Sequence, residues 1–176
     1  MSAAPLRYED ATIREILTNV KTIAMVGASP KENRPSYFVL KYLLAKDFRV
    51  IPVNPGLAGQ EILGQTVHAD LASIPEPVDM VDIFRASDAV PGIVDQALAL
   101  DPKPKVIWTQ LGVRHDGAAE RAEAAGLAVI MDRCPKIEFA RLSGEISWNG
   151  VNSRVISSRK PTRGQGYQSL GLGPKR

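Results

Sequence analysis

Five short apolar runs, interleaved with stretches of helical period, constrain this chain more than any other feature in it. The runs are "KTIAMVG", "FRVIPVNP", "VDMVDIF", "KVIWTQLG" and "LAVIMD". Each is nearly continuous in Val, Ile, Ala and Met rather than alternating, the mark of a strand buried on both faces. Ahead of the first, "EDATIREILTNV" carries Ile13, Ile16, Leu17 and Val20 on one helical stripe. "PSYFVLKYLLAKD" follows the first run, with Pro35 at the opening helical position, where a missing N–H costs nothing. "SDAVPGIVDQALAL" offers Ser87 or Asp88 as a cap and keeps Pro91 in the first turn. "DGAAERAEAAG" is stopped by Gly126, and "PKIEFARL" reads as a short last helix. Strands alternating with helices predict an α/β fold: a three-layer, Rossmann-like, doubly wound and mostly parallel sheet of about five strands, helices on both faces. The long connection after the second run predicts a small extended piece at "EILGQTVH".

Length and charge bound the rest. A chain of 176 residues fits one domain with a real core. Acidic residues end at Glu145, and six basic ones follow it, leaving sixteen basic against nineteen acidic groups in the preceding body. The body is therefore mildly acidic and the tail basic. We expect a single domain over residues 1–160 and a flexible basic tail over 161–176, where Gly, Pro and Ser replace any apolar period. No long uncharged apolar run predicts a membrane span, and the N-terminus lacks a signal-type apolar core. A single cysteine, Cys134, excludes an internal disulfide and fits a reducing cytoplasm. Two histidines and one cysteine give no metal-ligand spacing, so no metal site is expected.

In a doubly wound sheet, ligands sit outside the carboxyl ends of the strands, at the switch in strand order. The loops to inspect are therefore "GASPKENRP", "NPG", "FRAS", "TQLG" and "DRCPK". The first resembles a dinucleotide turn only at its start. The G-x-G-x-x-G pattern would place glycines where the chain has Gly27, Ser29 and Glu32, and the second strand ends in Asn54 where an NAD site wants an acid. What remains is a helix start facing Ser29, Lys31 and Arg34, which suits a phosphate-rich, more anionic ligand.

Taken together, "TIAMVGASPKENRPSYFVLKYL", "VIPVNP", "VDMVDIFRAS", "WTQLGV" and "AGLAVIMDRCPKIE" resemble the small stand-alone CoA-binding proteins. Those in turn resemble the CoA-binding domain of the succinyl-CoA synthetase alpha subunit. The likeness runs from about Asp10 to Leu142, with "VNSRVISSRK" as a weaker continuation. It implies coenzyme A or acyl-CoA lying across the carboxyl edge. It implies cofactor-binding residues Gly27, Ala28, Ser29, Lys31, Arg34 and Pro35 on the first loop, and Asn54 and Pro55 on the second. It carries over Trp108, Thr109 and Gln110 on the fourth, while position at the strand ends adds Phe84 and Arg85 on the third, Gly112 on the fourth and Cys134 on the fifth as candidate binding residues. A lysine that contacts CoA in the synthetase falls at Leu57 here, so that contact is absent, and Gln110 replaces a glutamate. The synthetase's phosphorylated histidine lies in a second domain that has no match, and neither His68 nor His115 corresponds to it. The resemblance transfers binding and no catalytic residue.

Alternatives stand beside several of these residues. Lys31 and Arg34 also read as solvated loop charges, and Arg85 as an ion-pair partner of Asp82 or Asp88. Phe84 and Trp108 also read as core, and both histidines as plain surface groups. Cys134, flanked by Arg133 and Lys136 at a helix start, reads either as an inert buried thiol or as a thiolate able to form a mixed disulfide with CoA. The function classes are non-catalytic CoA or acyl-CoA binding, an NAD(P)-dependent oxidoreductase, and an interaction module using the basic tail. Nucleic acid is not an expected partner, and the sequence names no protein partner.

Overall fold

Continuous apolar runs become buried parallel strands because neither face of such a strand can meet water. A computed structural model describes residues 5–145. Its elements are α1 (Asp10–Asn19), β1 (Thr22–Val26), α2 (Pro35–Ala45), β2 (Arg49–Val53), β3 (Glu61–Ile62), β4 (Gln65–Thr66) and β5 (Met80–Ile83). α3 (Val90–Leu98), β6 (Val106–Thr109), α4 (Asp116–Ala124), β7 (Ala128–Ile130) and α5 (Pro135–Ser143) complete them. The main sheet runs β2-β1-β5-β6-β7, all parallel. All five predicted strands and all five predicted helices are present. The tail, and the continuation "VNSRVISSRK", lie outside the described residues.

Alternate residues of each strand feed two cores. Ile23, Met25, Met80 and Trp108 face α1, α2 and α5, meeting Leu17, Leu40, Leu43 and Phe139. Ala24, Val81, Ile83 and Ile107 face α3 and α4, meeting Val94, Ala97, Ala118 and Ala122. The extended piece expected at 61–68 is an antiparallel hairpin, β3–β4, whose tip holds Leu63 and Gly64 at positive φ. It is tied to the main sheet where His68 bridges Val53.

One local expectation differs. Neither Ser87 nor Asp88 caps α3. A short 3-10 turn over Ser87–Ala89 precedes the helix, and Ser87 Oγ instead accepts the Arg114 amide at 3.0 Å. The hydroxyl ties the third loop to the fourth, a long-range bond that local pattern does not reveal.

The strand order places the switch point. β2 lies on one side of β1 and β5 on the other, so the connections from β1 diverge at its carboxyl end. The crevice must open there, between the loops that leave β1 and β5.

Candidate functional site

Gly27 leaves β1 at a φ of +88°. A Cβ there would overlap the Phe84 carbonyl oxygen and stand 3.0 Å from the Phe84 carbonyl carbon and from Arg85 Cδ. The first and third loops therefore approach each other more closely than any side chain permits. The amides of Gly27 and Ala28 both reach the Val53 carbonyl, at 2.9 and 3.4 Å. Asn54 Nδ2 donates to the Ala28 carbonyl at 2.9 Å, while its Oδ1 accepts from Gly56 N at 3.0 Å. Asn54 thus clamps the first loop to the second, and Pro55 opens the 3-10 turn that Asn54 caps.

Beyond Gly27 the loop is short and self-bonded. Ser29 Oγ accepts from Lys31 N at 3.2 Å, and Arg34 N donates to the Lys31 carbonyl at 3.0 Å. α2 begins at Pro35, and no side chain caps it. Pro35 has no N–H and Tyr37 N donates to the Arg34 carbonyl at 3.0 Å, so what this helix start offers the crevice is chiefly the positive end of its dipole. α5 also starts at a proline, Pro135, and the amides of Lys136 and Ile137 turn to Cys134.

These loops line a crevice of about 950 Å³. Among the described residues, Lys31, Arg34, Arg85 and Lys136 contribute four cations to its walls, and no Asp or Glu lines it. The side chains of Lys31, Arg34 and Arg85 have no partner among the described residues. Neither carboxylate considered for Arg85 pairs with it. Lys136 Nζ stands 5.8 Å from the Tyr42 ring centroid, a cation–π contact. A second cavity of about 300 Å³ adjoins on the α3 side and shares Gly27, Asn54 and Arg85 with the first.

Most of the residues expected from sequence converge here: Gly27, Ala28, Ser29, Lys31, Arg34, Pro35, Asn54, Phe84, Arg85, Gln110 and Cys134 line the larger crevice. Pro55 lines the smaller one. Trp108, Thr109 and Gly112 do not line either. Trp108 is fully buried, and its Nε1 donates to the Arg133 carbonyl at 2.8 Å. Thr109 Oγ1 donates to the Val113 carbonyl at 2.7 Å, and Gly112 N donates to Asp132 Oδ1 at 2.7 Å. These three shape the fourth and fifth loops from behind. The histidines are engaged elsewhere: His68 Nδ1 lies 3.0 Å from the Ser73 carbonyl, and His115 caps α4 by accepting from Ala118 N. Phe38 and Ile137 also line the crevice from outside the inspected loops, and Leu111 and Lys136 from within them, though none of the four was named as a binding residue. A helix first turn beside a candidate loop is the signal that points to the two on α5 and to Phe38.

Under the crevice lies Asp82, fully buried on β5. Gln110 Nε2 donates to its Oδ1 at 2.8 Å, while Oδ2 has no partner. Burial pushes this carboxyl up to about 7, with the Gln110 bond pulling weakly the other way. With Nε2 turned to Asp82, the amide oxygen of Gln110 is left as the acceptor for a ligand. Cys134 also departs from one expectation. Burial raises its thiol above the ordinary range and outweighs the Ile137 and Lys136 amides that favour thiolate. The flanking cations are drawn aside, Arg133 onto the Tyr8 ring and Lys136 toward Tyr42. Of the two readings of Cys134, burial and the diverted cations favour the inert buried thiol.

A model of the CoA binding domain matches residues 21–140, which hold the whole sheet and every loop of the crevice. The chain belongs to the CoA-binding domain family. Among its members, the uncharacterized protein YneT of Bacillus subtilis is 37% identical over 130 residues, 74% of this chain and 93% of that one. The ADP-forming acetate–CoA ligase I of Archaeoglobus fulgidus is 29% identical over 149 residues. That match takes in 79% of this chain but only 21% of the ligase, so the shared part is one domain of a larger enzyme. A solved structure of a hypothetical protein from Pyrococcus horikoshii is 37% identical with a TM-score of 0.73, covering 81% of this chain and 98% of that one. The succinyl-CoA synthetase-like resemblance read from the five motifs holds, and so does the Rossmann-like fold. Among the described residues of this family member, no helix is long and apolar enough to cross a membrane, and no group of three His, Cys, Asp or Glu could hold a metal ion.

Proposed function

We propose that this chain binds coenzyme A or an acyl-CoA in the crevice at the carboxyl edge of the sheet and holds it without transforming it. The observation that carries this reading is the charge of the crevice. Among the described residues its walls hold four cations and no carboxylate, although the chain before the tail is mildly acidic. Such a field concentrates a polyanion, and the positive end of the α2 dipole adds to it. Arg34 and Lys31 then contact the CoA phosphates, and Gln110 accepts an N–H from the ligand. The binding-only part rests on the lining: among the described residues no His, Asp or Glu stands there to act as a base, and burial holds the Cys134 thiol toward its protonated form.

NADP is also a polyanion, so a thermal-shift panel of CoA, acetyl-CoA, NAD and NADP on the full chain tests the reading. A ligand at about 100 times its Kd adds about 2.7 kcal/mol, or about 5–10 °C for a chain of this size. CoA and acetyl-CoA are expected to give that shift and the nicotinamide nucleotides a small one. A shift with NADP alone would support the oxidoreductase reading. Steady thioester hydrolysis by the pure protein would overturn the binding-only part.

A further inference from the structure

Among the described residues, four large apolar side chains stand exposed: Phe38, Leu63, Leu111 and Ile137. Leu63 sits at the hairpin tip, away from the crevice. The other three, exposed by 52%, 59% and 42%, all line the crevice. They arise from three separate elements: α2, the loop after β6, and α5. Single exposed apolar side chains need no explanation, but a convergence around one cavity marks a binding surface. Val39 and Cys134, both buried, continue the same wall inward.

The occupant follows from continuity. The apolar trio and the cations Lys31, Arg34 and Arg85 belong to one cavity of about 950 Å³. A ligand anchored by its phosphates at the first and third loops must lay its remaining length along the α2 and α5 wall. The adenine ring and the two methyl groups of the amide-bearing arm cover apolar surface nearer the phosphates, and an apolar acyl group extends that cover beyond the thioester. We propose that the crevice selects acyl-CoA thioesters with an apolar acyl group, over free CoA and over dicarboxylic acyl-CoAs, the acyl chain covering Phe38, Leu111 and Ile137. This rests on the CoA reading above. Lys136 is the one charge on that wall, and its contact with Tyr42 draws it from the acyl path.

Isothermal titration of the full chain with CoA, acetyl-CoA, butyryl-CoA and succinyl-CoA tests the proposal. Burying each methylene half or fully makes butyryl-CoA about 4- to 15-fold tighter than acetyl-CoA. Succinyl-CoA is expected to bind more weakly than butyryl-CoA. Phe38→Ser combined with Ile137→Ser should flatten the series, so that butyryl-CoA loses its margin over acetyl-CoA and succinyl-CoA. Both side chains are half exposed, so an unchanged melting temperature checks that the variant folds. Equal affinities across the series, or succinyl-CoA bound most tightly, would overturn acyl selection while leaving CoA binding standing. Serine variants that instead convert a dimer to a monomer in sedimentation would give the patch to a second copy and also overturn it. No binding of any thioester or of CoA would remove both readings together.

Discussion

Replacing Gly27 by valine is expected to cost the fold roughly 3–5 kcal/mol, a large part of a typical domain's stability. Two effects add. The backbone at a φ of +88° is unfavourable for any side chain and worst for a β-branched one. The new Cβ would also overlap the Phe84 carbonyl oxygen, which belongs to rigid backbone just past β5. Relief requires β1 and β5 to part at the sheet's centre. Gly27 is thus required first by the neighbouring strand's exit and only then by any ligand. Urea unfolding measures the loss directly. A Gly27→Val variant with the parent's midpoint would contradict the close approach of the two loops.

The buried carboxyl of Asp82 should make stability fall as pH rises. Its folded pKa is about 7 against 3.8 for the free group. The folded state therefore holds a proton that the unfolded state has lost throughout that window. Below about pH 4 both states are protonated and Asp82 costs nothing. Between about 4 and 7 its contribution falls by roughly 4 kcal/mol, and above 7 it stays at that cost. Asp10, Asp79 and Asp116 are held below the usual carboxylate range, so their contributions run the opposite way, fading as pH falls. Comparing the parent with Asp82→Asn cancels them. The stability difference, parent minus variant, should fall by roughly 4 kcal/mol between pH 4 and pH 8. A difference that stays flat with pH would contradict a protonated Asp82 at the sheet's centre.

The fold was legible because its signal is local and repeated. Each strand is an apolar run, each helix an apolar stripe, and their alternation leaves few topologies. The crevice was legible at one remove, since the doubly wound order puts ligands at strand ends. Asn54 and Arg34 could be named before their contacts were known. Side-chain direction was not legible. Trp108 and Thr109 sit at the end of β6, yet both turn inward to bond carbonyls of neighbouring loops. Asp82 interrupts an apolar run, which hinted at a buried charge, but its bond to Gln110 spans 28 positions. Phe38, Leu111 and Ile137 look ordinary one at a time. Only packing α2 against α5 brings them to one wall. Which of the two readings of Cys134 holds was not legible, because flanking charges in sequence say nothing of where their side chains go.

The central claim is that a crevice walled by cations at the switch point holds CoA. Titration of CoA into the parent chain and into Arg34→Ala tests it most directly. Arg34 stands at the N-cap of α2, exposed and without a side-chain partner among the described residues, so its loss should leave the fold intact. The account predicts one site in the parent, an affinity that weakens with salt, and a loss of about 1.5–3 kcal/mol in the variant, the worth of a charge-assisted hydrogen bond. Arg34→Ala binding CoA as tightly as the parent, or a parent that binds no CoA, would contradict it.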